Sequence, residues 1–395
     1  GNSGSSCQRR VCYHTNWSQY RPGDGKFMPE DIDPNLCTHL IYSFAKLTND
    51  HLAAFEWNDE DTAWSTGLYT KFNNLKNQNP ELKTMLAVGG WNMGSAPFSH
   101  MVSTQATRQE LRDAFDVEAA QTGKDRLLLS AAVAAGVETI DAGYEITDIV
   151  AKLDMLNIMT YDMHGSWDPY TAHNSPLYGH AGETGDDLSL NVDYALNYWV
   201  NRGATKDKIN VGLPTYGRTF TLSDPNNNGV GATAPRAGTA GKYTREAGFL
   251  AYYEICEMIA QGATVNRIDD QKVPYLVKGN QWVGYDDPES IRTKVQYIND
   301  QGYGGFMVWA LDLDDFKGKT CNEGPYPLIN AAKDVCQSGA SSGSSSSGPG
   351  TSMAPGSTAA PTQNPGQTTS GQQTTSSNNG GASQTTSSGG APGIS

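Results

Sequence analysis

Cationic residues are scarce in this chain. Its 395 residues hold 28 Lys and Arg against 42 Asp and Glu, for a net charge of −14. A polyanion such as nucleic acid is therefore an unsuitable partner. No apolar run is long enough to span a membrane as a helix, and no membrane partner is expected. None of the six cysteines (Cys7, Cys12, Cys37, Cys256, Cys321, Cys336) forms a Cys-x-x-Cys pair, so the usual zinc and thioredoxin signatures are missing. No metal and no cofactor are expected. There is no initiator Met and no signal peptide, and the chain is read as a mature form or a fragment. From Gln337 to Ser395 there is no charged or aromatic residue. Such a segment cannot bury enough apolar surface to offset the entropy of ordering, so residues 337–395 are expected to be disordered. Their Ser/Thr/Pro mix matches a flexible stalk of the O-glycosylated type. An even cysteine count beside such a tail points to disulfides and an extracellular, oxidising compartment. Sequence alone leaves fifteen pairings open.

The first 336 residues are a different material. After a short lead, residues 1–10, the stretch 11–336 is long enough for a large barrel with an insertion. Apolar runs read as strands at 11–17, 39–45, 83–91, 127–134, 153–162, 209–218 and 304–314. Between them, helical periodicity appears at 70–78, 104–121, 148–152 and 188–202. Alternating strands and helices imply an α/β fold with a parallel sheet and right-handed crossovers. The pattern breaks between about 219 and 303. There Lys278-Gly279-Asn280-Gln281 reads as a hairpin turn, so a small antiparallel insertion domain is expected. Asn16-Trp17-Ser18 matches a glycosylation sequon, but its place at a half-buried strand end argues against modification.

The run Leu153-Asp-Met-Leu-Asn-Ile-Met-Thr-Tyr161-Asp162 organises the reading. It starts as a buried strand and ends in a tyrosine and a carboxylate, which is how a barrel strand delivers side chains to its functional C-terminal face. Other strands end alike, in Tyr13 and Trp17, Phe44, Trp91, Tyr216 and Arg218, and Trp309, with Trp167 just beyond Asp162. Converging on one mouth, these aromatic faces suit sugar rings, whose C–H faces are apolar while their hydroxyls need hydrogen bonds.

Five segments carry a resemblance. Cys12-Tyr-His-Thr-Asn-Trp17, Leu86-Ala-Val-Gly-Gly-Trp91, Met159-Thr-Tyr-Asp162, Pro214-Thr-Tyr-Gly-Arg218 and Phe306-Met-Val-Trp-Ala-Leu-Asp-Leu-Asp-Asp-Phe316 occur in the order found in glycoside hydrolase family 18. The chain resembles its secreted animal chitinases and their lectin-like relatives. The resemblance implies a TIM (β/α)8-type barrel with a small α+β insertion between its last two units, and chitin or N-acetylglucosamine oligomers as partner, bound by a monomer. It implies that Tyr161 and Asp162 hold the substrate N-acetyl group, and that Met159, Tyr216 and Arg218 line the site. Trp309 would be the floor, with Trp17, Trp91 and Trp167 as stacking platforms. It also implies the disulfides Cys12–Cys37 and Cys256–Cys321. The remaining Cys7 and Cys336 would both lie at the lower face of the barrel, so they are expected to pair.

One departure decides the function. Family chitinases carry Asp-x-x-Asp-x-Asp-Trp-Glu on the fourth strand, where the Glu is the general acid and the substrate acetamide is the nucleophile. That strand belongs between Trp91 and Leu127, and the pattern is absent. Gln109 runs directly into Glu110 where a helix–strand–helix segment is expected, so a seven-strand barrel lacking one βα unit is expected. The Asp312-Leu-Asp314-Asp315 stretch echoes the acidic motif but lacks its Glu and reads as scaffold. Three functions follow as expectations. The leading one is chitin-oligomer binding with little or no hydrolysis. The alternatives are an endochitinase and an incomplete, poorly folded fragment of one, since losing a strand threatens barrel closure.

Overall fold

The computed structural model describes residues 7–49, 51–94, 96, 98 and 104–341. The disorder expected of the tail falls outside these residues from 342 onward. The last helix, Pro327–Ser341, runs five residues past the expected boundary at 336.

Seven strands form one curled parallel sheet among the described residues. They are β1 (Arg9–Thr15), β2 (His39–Thr48), β3 (Lys83–Val88), β4 (Ser130–Val133), β5 (Met155–Ile158), β6 (Ile209–Pro214) and β7 (Gly305–Trp309). Their order across the sheet is β3-β2-β1-β7-β6-β5-β4. Every neighbouring pair is parallel, as right-handed crossovers through helices require. The central strands β5 and β6 are buried along their whole length. Their runs lack polar–apolar alternation because both faces are covered.

Inside the sheet a polar ladder satisfies itself. Arg9 Nε donates to Asn210 Oδ1 at 2.9 Å, Asn210 Nδ2 to Asn157 Oδ1 at 2.8 Å, and Asn157 Nδ2 to the Tyr13 hydroxyl at 3.3 Å. Buried amides are affordable only when paired in this way.

The sheet is open. Strands β3 and β4 each have one partner among the described residues, β2 and β5 respectively, and no strand lies between them. The helix Gln105–Thr122 lies between them in the chain, and none of its described side chains is fully buried. Leu86 on β3 is 43% exposed, Val117 on the helix 53% and Leu127 52%. This is the physical signature of the missing βα unit: apolar positions that a neighbour would cover face water instead.

Where the unit is not missing, local chemistry sets the boundaries. Asn191 accepts from the Tyr194 N–H to start Val192–Asn201. Asp287 caps Pro288–Gln301 through the Ser290 N–H, Pro288 opens it, and Gly302 closes it at φ 76°. A short helix, Val137–Gly143, has no counterpart in the sequence reading.

The insertion is an antiparallel sheet of Tyr216–Thr221, Arg236–Ala237, Phe249–Ala251, Thr264–Ile268, Val273–Lys278 and Gln281–Gly284, with helix Tyr252–Ala260. The hairpin turn falls at Gly279-Asn280, as expected. One expectation needs correcting. The run 209–218 is two strands, not one: the chain leaves the barrel after Pro214, where the Thr215 N–H and hydroxyl bond Trp309 O and Ala310 O. Tyr216 and Arg218 therefore stand on the first insertion strand.

All six cysteines are paired: Cys12–Cys37, Cys256–Cys321 and Cys7–Cys336.

Candidate functional site

The C-terminal ends of β1, β2 and β7 bring four rings together. Trp17 stands just past β1 in the 3-10 turn Asn16–Tyr20, not in the strand itself. It stacks on Phe44 of β2 with centroids 5.8 Å apart. Phe44 stacks on Trp309 of β7 at 6.0 Å, and Trp17 tilts against Trp309 at 6.2 Å. Tyr13 lies beneath at 5.4 Å from Trp309, buried, and burial pushes its hydroxyl up to about 12. It supports the floor and does not face the solvent. Gly90 is required here: a Cβ on it would sit 2.7 Å from the Phe44 ring, and its φ is +87°. Beyond that turn Trp91 is 75% exposed and joins none of these ring pairs.

A second group forms past β5. Asp162 sits at φ +56°, in the left-handed region, with its N–H donating to Asn174 Oδ1 at 2.9 Å. Its Oδ1 accepts from the Tyr216 hydroxyl and from Arg218 Nε, each at 2.7 Å. The Arg218 guanidinium is 5.2 Å from the Trp167 ring and 5.3 Å from Phe249, a cation–π clamp. Phe249 also stacks on Tyr216 at 4.7 Å. Burial works against the Arg218 cation, but the Asp162 carboxylate, with a smaller contribution from Tyr216, outweighs it, so the cation is held more firmly than usual. Trp167 is 57% exposed and packs over Gly165, where a Cβ would meet its ring at 2.5 Å. Tyr161 is buried, and burial chiefly holds its hydroxyl protonated well above the ordinary range. That hydroxyl lies 3.6 Å from Met307 Sδ on β7, two residues before Trp309, which joins the two groups. Met159 is partly buried against the core.

Sequence reasoning missed Asn174 and Phe249. Phe249 reaches the site because its strand pairs it with Arg218, a long-range register that no local pattern encodes. Asn16 is buried, with its amide donating to Phe44 O at 3.1 Å, in line with an unmodified sequon.

The acidic stretch after β7 is scaffold. Asp312 accepts from the Thr15 hydroxyl and from Arg21 at 2.6 Å. Asp315 accepts from the Thr320 and Cys321 N–H groups, both at 2.8 Å. Burial pushes Asp314 up to about 7, the direction a proton donor needs. However, its side chain is wholly buried against the Leu328 and Ile329 N–H groups that open the last helix, beyond reach of a glycosidic oxygen.

The model of the glycosyl hydrolases family 18 matches residues 9–111 and 106–314. The chain belongs to glycosyl hydrolase family 18. The two matches meet at 106–111, where the sequence places the direct junction at Gln109-Glu110. The chain is 44% identical over 371 residues to chitotriosidase-1 of Mus musculus, covering 83% of this chain and 78% of that protein. It is 42% identical over 370 residues to chitinase-3-like protein 2 of Homo sapiens, covering 84% and 93%. Among solved structures, human YKL-39, described as a pseudo-chitinase with retained chitooligosaccharide binding, superposes with a TM-score of 0.79 at 41% identity. That match covers 83% of this chain and 99% of that one. The family thus includes both enzymes and binders, and fold alone does not choose between them.

Proposed function

We propose that this family 18 chain binds chitin and N-acetylglucosamine oligomers outside the cell with little or no hydrolysis. The observation that carries this reading is the engagement of the groove carboxylate. Asp162 is engaged by a cation, Arg218, and by the Tyr216 hydroxyl. Both partners donate to the same oxygen, Oδ1, so Asp162 is placed as an acceptor that orients a ligand. The strand that carries the family's acid has no counterpart between β3 and β4 among the described residues. The aromatic floor of Trp17, Phe44 and Trp309 offers the flat faces a sugar chain stacks on. Oligosaccharide binding by the pseudo-chitinase relative is consistent with a groove that outlives catalysis. Three closed disulfides suit an oxidising compartment. The test is calorimetry with chitotetraose combined with product analysis. Saturable binding with intact tetramer supports the reading, and steady release of shorter sugars establishes the endochitinase alternative.

A further inference from the structure

One buried cation stands apart from the groove. Lys294, on the helix Pro288–Gln301, has its side chain wholly out of water, as has its partner Asp286. The three N–H groups of its ammonium go to Asp286 at 2.7 Å, to Ser175 O at 2.6 Å and to the Ser175 hydroxyl at 2.9 Å. Burial lowers the Lys294 pKa, with Asp286 opposing it. A buried ion pair adds little to stability, because desolvation offsets the attraction. Stability alone therefore does not account for the pair, whereas the segment it grips leads directly to the site.

Residues 173–175 are fully buried. Lys294 holds them at Ser175, whose hydroxyl in turn donates to Thr160 O at 2.6 Å, just past β5. His173 holds them from the other end. Its Nδ1 accepts the Ser175 N–H at 2.9 Å and its Nε2 donates to Tyr285 O at 2.8 Å, next to Asp286. Asn174 stands between. Its Oδ1 accepts the Asp162 N–H at 2.9 Å, and its carbonyl accepts the Met163 N–H at 3.0 Å. Its Nδ2 donates to Tyr216 O at 3.3 Å, while the Tyr216 hydroxyl donates to Asp162 Oδ1. Two successive N–H groups of the turn at Asp162 thus end on one residue. Asp162 needs that support, since a non-glycine residue at φ +56° persists only where its surroundings determine it.

We infer that Lys294, with Asp286 as its counter-charge, is a positioning residue for sugar binding, setting Asp162 through Ser175 and Asn174. The inference rests on the carbohydrate reading of the groove, in which Asp162 orients the ligand. A donor is needed at this point because the acceptors it serves are buried. An apolar side chain in place of Lys294 would leave Ser175 O unpaired, and the segment would shift to find another donor. Asn174 would move with it, and the turn at Asp162 would lose its fixed acceptors.

The experiment compares the parent with Lys294→Met/Asp286→Asn, which removes both charges and keeps their shape, and with Ser175→Ala, which deletes the hydroxyl between Lys294 and Thr160. Each is also made together with Asp162→Asn. Hydrogen exchange read by mass spectrometry follows the amides of 160–167, and calorimetry gives chitotetraose affinity. Both variants should exchange about tenfold faster over 160–167 and leave β1, β2 and β7 unchanged. Affinity should fall about fivefold where Asp162 is present and no further where Asn replaces it. A uniform rise in exchange across the sheet, or an equal affinity loss in both backgrounds, makes Lys294 a structural residue and overturns the inference. Unchanged exchange over 160–167 overturns it as well. If the paired variant does not fold, Ser175→Ala decides by the same readings. A parent that does not hold chitotetraose defeats the groove reading, and exchange over 160–167 then upholds or overturns the setting of Asp162 by itself.

Discussion

Replacing Asp162 with Asn isolates the charge at the heart of the site. Asn tolerates the left-handed backbone at φ +56° and keeps the side-chain volume, so the backbone and packing change little. What is lost is the charge that strengthens two hydrogen bonds at 2.7 Å, from the Tyr216 hydroxyl and Arg218 Nε. A charge-assisted bond contributes about 1.5–3 kcal/mol and a neutral one about 0.5–1.5, so each bond weakens by about 1 kcal/mol. The Asp162 side chain is 37% exposed and Arg218 is 16% exposed, so water screens part of this. The expected loss is about 1–2 kcal/mol of stability, or about 2–4 °C in melting temperature for a domain of this size. The same change loosens the Arg218 guanidinium beside Trp167 and replaces one carboxylate oxygen by an amide donor, where the proposed binding needs an acceptor. Chitotetraose affinity should fall by about tenfold, equivalent to about 1.4 kcal/mol. Calorimetric melting and titration on one preparation read both numbers. A lower melting point with unchanged affinity would make Asp162 purely structural and refute its orienting role.

Trp309→Ala should weaken chitotetraose binding by about 1–3 kcal/mol, since it removes the ring that Tyr13, Trp17 and Phe44 surround; unchanged affinity by titration removes Trp309 from the site. Gly90→Ala should displace Phe44, which a Cβ would meet at 2.7 Å, and lower both stability and affinity by about 1 kcal/mol or more; a parent-like melt and titration contradict that packing. His14 is buried among Phe27, Tyr42 and Phe72, and burial lowers its pKa from 6.5 to about 4. Its contribution is fully present above pH 6.5 and is lost as pH falls toward 4, because only the unfolded chain takes the proton. His14→Phe should therefore gain on the parent by up to about 3 kcal/mol across that window, and a gap in melting temperature that stays constant with pH argues against it. Removing Cys7–Cys336, which spans 329 residues, should cost about 2–5 kcal/mol by denaturant titration; a smaller loss means the last helix holds the N-terminal strand without it.

Much of the site was legible because strand ends are local signals. An apolar run that finishes in Tyr161-Asp162 or Trp309 announces its own direction, and the aromatic set at β1, β2 and β7 does meet. The continuous run 209–218 hid a change of sheet, because nothing in Pro214-Thr215-Tyr216 distinguishes a barrel strand from an antiparallel one. Phe249 and Asn174 were invisible for the same reason: their roles come from register and loop return, not from neighbours in sequence. The helix Val137–Gly143 is too short to show a period. The direct passage from Gln109 to Glu110 was legible because it omits a motif, and the open interval between β3 and β4 is its three-dimensional form.

Binding and turnover of chitotetraose, measured on the same sample, decide between a binder and an enzyme. A reducing-end-labelled tetramer is titrated to saturation by calorimetry, then held at saturating protein and analysed by mass spectrometry over many hours. Saturable binding with the tetramer intact is the expected result. Release of labelled dimer or trimer at a rate proportional to protein concentration would mean that a general acid operates in this chain without the family's fourth strand.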